Sequence, residues 1–115
     1  MHEYPLTQKI IKIAEKYALE HKADHVSKIN LVIGNDSGVL ADSILLYFEI
    51  IAENTICENA EIVIERVKPL LKCKKCGQYF ERKPFSFSCT FKDCGGDGEP
   101  TEIGREFYVK SIEIE

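Results

Sequence analysis

The chain has 115 residues, 44% of them apolar, and its 15 Lys and Arg against 19 Asp and Glu leave a formal net charge of -4. That length supports one compact unit with room for a small appendage, and no apolar run approaches the roughly 18 residues that span a bilayer. The opening Met1-His2-Glu3-Tyr4-Pro5 has neither a basic stretch nor an apolar core of the kind that directs secretion, so the expected compartment is cytoplasmic.

Pro5 suits the first turn of a helix, and Leu6, Ile10, Ile13, Ala14, Tyr17 and Ala18 recur at spacings of three and four, which predicts a first helix running to about Lys22. From His25 to Ile33 the chain alternates Ile29, Leu31 and Ile33 with Lys28 and Asn30, the period of a half-buried strand. Gly34-Asn35-Asp36-Ser37-Gly38 ends it in a turn, after which Asp36 or Ser37 is expected to cap a second helix with Leu40, Ile44, Phe48 and Ile51 on one stripe, closing near Asn54. Glu61 to Val67 is β-branched and strand-like, and so is Glu106 to Glu115. The expected fold class is α+β: two helices on a small three-stranded sheet, with a zinc-ribbon-like lobe inserted between the last two strands. Those two strands flank the insertion, so they are expected to pair antiparallel and hold the lobe away from the body.

The insertion contains Cys73-Lys-Lys-Cys76 and, twelve residues on, Cys89-Thr-Phe-Lys-Asp-Cys94. Two close thiol pairs supply the tetrahedral soft-ligand set of a structural zinc ion, and the four-residue gap in the second pair stays within the tolerated range. A reducing compartment and an odd total of five cysteines argue against disulfides. Cys57 stands apart and reads as a small semi-buried apolar side chain. Cys76-Gly77 and Cys94-Gly95-Gly96 provide the backbone freedom for two knuckles, each the turn of a small hairpin. Aromatic residues at Tyr79, Phe80, Phe85 and Phe87, around Lys83-Pro84, lie between the pairs.

Charge divides along the chain: residues 1–67 hold 6 basic and 11 acidic side chains, whereas residues 68–102 hold 7 and 5. A mildly basic cysteine module keeps open a zinc ribbon that binds nucleic acid or serves as a scaffold or adaptor. The acidic remainder weighs against nucleic acid, because phosphate recognition needs a clearly basic domain.

There is no glycine-rich phosphate loop, and no serine motif with a nearby histidine; Gly95-Gly96-Asp97-Gly98 reads as turn material. None of the three histidines falls within the cysteine cluster, so the zinc site offers no open catalytic position, and no enzymatic activity is expected. His21 and His25 border the end of the first helix and are expected to cap it or decorate the surface. His2 has a different chemistry available. With the Met1 α-amine, its own deprotonated amide and its imidazole it can form a planar nitrogen chelate suited to Ni(II) or Cu(II), with the Glu3 amide as a candidate fourth donor. On these residues alone, an exposed terminal histidine without a ligand role is the simpler reading.

Taken together, Met1-His2-Glu3, Leu31-Val32-Ile33-Gly34, Phe48-Glu49, Ala60 to Glu65, Cys73-x2-Cys76-Gly77 with Phe80, the second cysteine pair, Gly104-Arg105-Glu106-Phe107 and Ile112 to Glu115 resemble the HypA-type nickel metallochaperones of hydrogenase and urease maturation. The likeness runs the whole length. It implies a nickel-binding α+β domain of residues 1–67 plus 103–115, a zinc lobe of residues 68–102 built on Cys73, Cys76, Cys89 and Cys94, and Ni(II) as cargo held by the amino-terminal His2, to which the chelate chemistry adds the Met1 amine and, as a candidate, Glu3. The resemblance also implies a HypB-type maturation GTPase as partner, with the hydrogenase large subunit as recipient and a urease accessory protein in some systems. The chain departs from the family at Gly34-Asn35-Asp36-Ser37, where Gly-Glu-Leu-Ser is common, and in the four-residue gap between Cys89 and Cys94, where two is common.

Overall fold

A computed structural model describes residues 2–82, 86–89 and 94–115. Its order is α1 (Glu3–Glu20), β1 (Val26–Gly34), α2 (Ala41–Ile51), β2 (Glu61–Val67), β3 (Leu70–Cys73), β4 (Tyr79–Glu81), β5 (Gly98–Pro100) and β6 (Phe107–Ile114). Two three-stranded sheets result, one ordered β2-β1-β6 and the other β4-β3-β5. The radius of gyration is 18.2 Å and the long axis 55 Å, whereas a globule of this length has a radius near 13 Å, so the body and the cysteine lobe are laid end to end.

β1 is the central strand of the first sheet: six of its nine positions are buried and none is exposed, whereas β2 and β6 mix half-buried and exposed positions. The expected antiparallel pairing of β2 with β6 is therefore wrong. Helix α2 carries the chain from β1 back to the same end of the sheet, so β2 pairs β1 in parallel, and β6 pairs β1 antiparallel along its other edge. Both helices pack on one face, over a core of Ile29, Leu31, Ile33, Ile44 and Phe48. On the bare face, Lys28 bridges Glu61 of β2 at 3.6 Å and Glu113 of β6 at 3.7 Å, which ties all three strands.

Helix phases differ from expectation in two ways. α1 buries Thr7, Ile10, Ile11, Ala14 and Ala18, leaving Ile13 and Tyr17 exposed on its flank. Thr7 is tolerated there because its hydroxyl donates to the Glu3 carbonyl at 2.7 Å. Helix α2 begins at Ala41 and is capped by neither Asp36 nor Ser37; its N-cap is Leu40, which is exposed. Ser37 Oγ instead accepts the Val39 amide at 3.2 Å, closing a local turn, and the Leu40 amide donates to the Glu3 carboxylate at 3.2 Å. The carboxylate of Glu3 thus ties the start of α1 to the start of α2.

The joint between body and lobe rests on two glycines. A side chain on Gly34 would place its Cβ 2.1 Å from the Gly104 carbonyl oxygen, and Gly104 itself sits at φ +101 against Pro69. Backbone cannot yield as a flexible side chain does, so Gly34→Ala is expected to destabilise the protein by about 3 kcal/mol, read as a lower urea midpoint at unchanged slope. An unchanged midpoint would mean that this close approach does not exist in solution.

Candidate metal centres

Each cysteine pair is positioned by its own turn. β3 and β4 form an antiparallel hairpin, with Leu70 opposite Glu81 and Lys72 opposite Tyr79, and its turn carries Cys73 and Cys76. Gly77 closes that turn at φ +78, and the Gly77 amide donates to the Cys73 carbonyl at 3.0 Å. The second pair lies beyond a bridge between Ser88 and Asp97, with the Cys89 amide donating to the Gly96 carbonyl at 2.7 Å and Gly95 at φ +68. Two hairpin-like turns are therefore present as expected, held by one sheet in which β3 also pairs β5. Lys83, Pro84 and Phe85, as well as Thr90 to Asp93 between the second cysteines, fall outside the described residues.

The turns bring all four thiols together. Cys73, Cys76, Cys89 and Cys94 place their sulfurs within 4.8 Å of one another, the Cys73–Cys94 pair at 3.7 Å and the Cys76–Cys89 pair at 3.6 Å. A tetrahedron with zinc–sulfur arms of about 2.3 Å has edges of about 3.8 Å, so the donor set fits a tetrathiolate zinc ion. The Cys76 amide, offset in part by burial and joined by the Lys75 amide, holds the Cys73 thiol down to about 6. The two amides point at its sulfur from 3.4 and 3.3 Å, so they favour the thiolate that a metal requires. Gly96 completes the cradle, since a Cβ there would come within 2.7 Å of the Cys73 sulfur. With four sulfur ligands the ion would have a closed shell and a structural role.

Cys57 takes no part in this cluster. It is fully buried in the body core, and burial pushes its thiol up to about 11. Its folded state therefore holds a proton that the unfolded chain releases at lower pH, so stability is expected to fall as pH rises from about 9 towards 11. Urea midpoints across that range should drop more steeply for the wild type than for Cys57→Ala; parallel slopes would contradict the assigned burial.

His2 lies at the other end of the molecule's chain, exposed, as the N-cap of α1 with extended backbone and no side-chain capping bond. Glu3 opens the helix, and the Leu40 amide holds its carboxyl below the usual range, so that carboxylate is engaged within the fold. The first amides of a helix have no intrahelical acceptor. Those of His2 and Glu3 thus lie where deprotonation breaks no helix bond. Met1, whose amine the chelate requires, is outside the described residues. Among the described residues the four cysteines are the one group of three or more potential ligands drawn together, and His2 and Glu3 do not join it. His21 sits at the helix C-cap, where Nδ1–H donates to the Tyr17 carbonyl at 2.8 Å. Among the described residues no helix is long and apolar enough to cross a membrane.

Residues 1–114 match the family described as hydrogenase/urease nickel incorporation, metallochaperone, hypA. The chain belongs to the HypA family. The HypA relatives include the hydrogenase maturation factor HypA of Caldanaerobacter subterraneus subsp. tengcongensis, 40% identical over the full length of both chains. That of Dehalococcoides mccartyi strain CBDB1 is 36% identical over all of this chain and 95% of its own. Two solved HypA structures share the fold: a solution structure of a HypA protein, with TM-score 0.71, 26% identity and 99% and 96% of the two chains covered, and that of the Ni metallochaperone HypA from Helicobacter pylori, with TM-score 0.65 and the same identity over 99% and 97%. The fold class read from the sequence, two helices with small sheets and a clustered cysteine quartet, is that of the HypA family.

Proposed function

We propose that the protein binds Ni(II) at its amino terminus and delivers it during maturation of [NiFe] hydrogenase, with urease as a second client. The observation that carries this reading is the family match over residues 1–114, which includes His2 at its start. The exposed N-cap position of His2 supports it: its side chain makes no capping bond, and the first amides of the helix have no intrahelical bond to lose. In the proposed site the Met1 amine, the His2 amide and the His2 imidazole hold the metal in a plane, with the Glu3 amide as fourth donor. Amide ligation releases protons, so affinity falls with pH and nickel can pass to a recipient by ligand exchange.

In this reading residues 1–67 and 103–115 form the nickel-binding part. Residues 68–102 form a lobe whose shape is set by zinc on Cys73, Cys76, Cys89 and Cys94. The protein acts in the cytoplasm as a carrier rather than a catalyst, and a HypB-type GTPase and the hydrogenase large subunit are its partners. Reconstitution tests it: nickel-loaded protein should transfer metal to purified apo large subunit in the presence of the GTPase and excess chelator, and the His2→Ala protein should not. Equal transfer by both would remove the amino terminus from the function.

A further inference from the structure

We propose that the free edge of β2, with the hollow beside it under α2, is a docking site for an extended segment of a partner protein that alternates Lys or Arg with aliphatic side chains. β2 lies at the margin of its sheet, with β1 on one side and no strand on the other among the described residues. Its pairing with β1 runs without irregularity from Glu61 to Val67, and the strand contains no proline. Edge strands are ordinarily blunted by bulges, prolines or covering loops, because their unpaired amides and carbonyls recruit other chains. The opposite margin shows such a device, since β6 pairs β1 with two irregularities in register. β2 shows none.

Beside that edge lies a hollow of about 530 Å³, bounded by Leu45 and Phe48 of α2, by Ala52 at its C-cap, and by Ala60 and Ile62 of β2 and its approach. Helix α2 is apolar beyond what its core contacts need, with Leu45, Leu46 and Ile50 at 41%, 57% and 59% exposure. An added strand would satisfy the β2 backbone and drop alternate side chains into this hollow, as in β-augmentation.

Charge selects the occupant. Glu49, Glu53 and Glu58 rim the hollow, and among the described residues none of them forms an ion pair, whereas Glu61, Glu65 and Glu113 on the bare sheet face are each paired with lysine. A second copy of this chain would bring the same carboxylates against themselves, and like charges across an interface disfavour it. A basic, aliphatic strand meets both the apolar floor and the acidic rim. This inference stands apart from the nickel reading, because it uses no residue of the amino-terminal site.

The test is selection of a random twelve-residue peptide library on zinc-loaded protein, followed by titration and amide exchange with the enriched peptide. Enriched sequences should alternate basic and aliphatic residues, and binding should slow exchange at amides of Glu61–Val67. The E49K/E53K double variant, altered only at exposed positions, should bind about tenfold more weakly with an unchanged urea midpoint. If it does not fold, L45K should weaken binding likewise. Failure to enrich peptides, enrichment without basic residues, or protection on other elements would overturn the proposal. So would slowing of β2 exchange with protein concentration alone, which would assign the edge to a second copy.

Discussion

Cys73→Ser is expected to eliminate zinc binding and melt the β3–β4–β5 sheet while leaving the β2–β1–β6 sheet folded. The reason is the size of the lobe's core. Beside its cysteines, that core buries Leu71 and Phe80 among the described residues. Two such side chains contribute about 3 to 6 kcal/mol on burial, too little to order strands of four, three and three residues and the turns between them. A structural zinc ion contributes about 10 to 16 kcal/mol of apparent binding free energy, enough to make the difference. Amide exchange reads the outcome directly: the amides of Leu70–Cys73, Tyr79–Glu81, Gly98 and Glu99 should lose protection in the variant, as in wild type after strong chelation. The core amides of Val26–Gly34 should keep theirs. Retained protection in the lobe would show that it folds on packing alone.

His2→Ala is expected to abolish stoichiometric nickel binding, a loss of at least two orders of magnitude in affinity, with no change in zinc content or urea midpoint. An imidazole is one of three planar nitrogen donors in the proposed chelate, and its removal leaves a site that competes poorly with water and buffer. The fold should be indifferent. His2 is exposed and makes no capping bond, whereas the link between the two helices runs through the carboxylate of Glu3 to the Leu40 amide. Glu3→Gln is the matching control: it keeps the amide donor but weakens that link, so it should affect stability more than nickel. The Leu40 amide lowers the Glu3 carboxyl, so this link is present above the usual carboxylate range and is lost as pH falls below it.

The sites were legible in the sequence to the extent that their chemistry is local. A pair of thiols two or four residues apart on a glycine-bearing turn has few conformations, and both turns came out as knuckles around one point. Cys57 was legible as standing apart from the metal site, sixteen residues ahead of Cys73, but its complete burial, where a semi-buried position is expected, depends on packing that the polar residues around it do not announce. What failed was non-local. Nothing in β2 or β6 read alone says that a third strand will lie between them; that follows from the α2 crossover and from β1, none of whose positions is exposed. The spacing of Ile13 and Tyr17 in α1 is as helical as that of Ile10 and Ala14, and only the position of the sheet decides which face is covered. Gly34 and Gly104 are seventy residues apart in the chain. Their backbones approach closely where the chain passes between body and lobe, yet each glycine alone reads as an ordinary turn residue. The Asp36 or Ser37 cap failed because both residues are engaged in the turn, the Asp36 amide donating to the Gly104 carbonyl and Ser37 Oγ accepting the Val39 amide, which leaves Leu40 to start α2.

The central claim, nickel held by the amino-terminal nitrogens, is tested most directly by titrating tag-free, zinc-loaded protein with Ni(II) at neutral pH and following its absorption spectrum. One equivalent should produce the visible d–d band of square-planar nickel with nitrogen donors, at unchanged zinc content, and the band should fade as pH is lowered. The same titration of protein carrying extra residues ahead of Met1 should show no such band. An identical spectrum from both proteins, or nickel taken up only as zinc is displaced from the cysteines, would contradict the account.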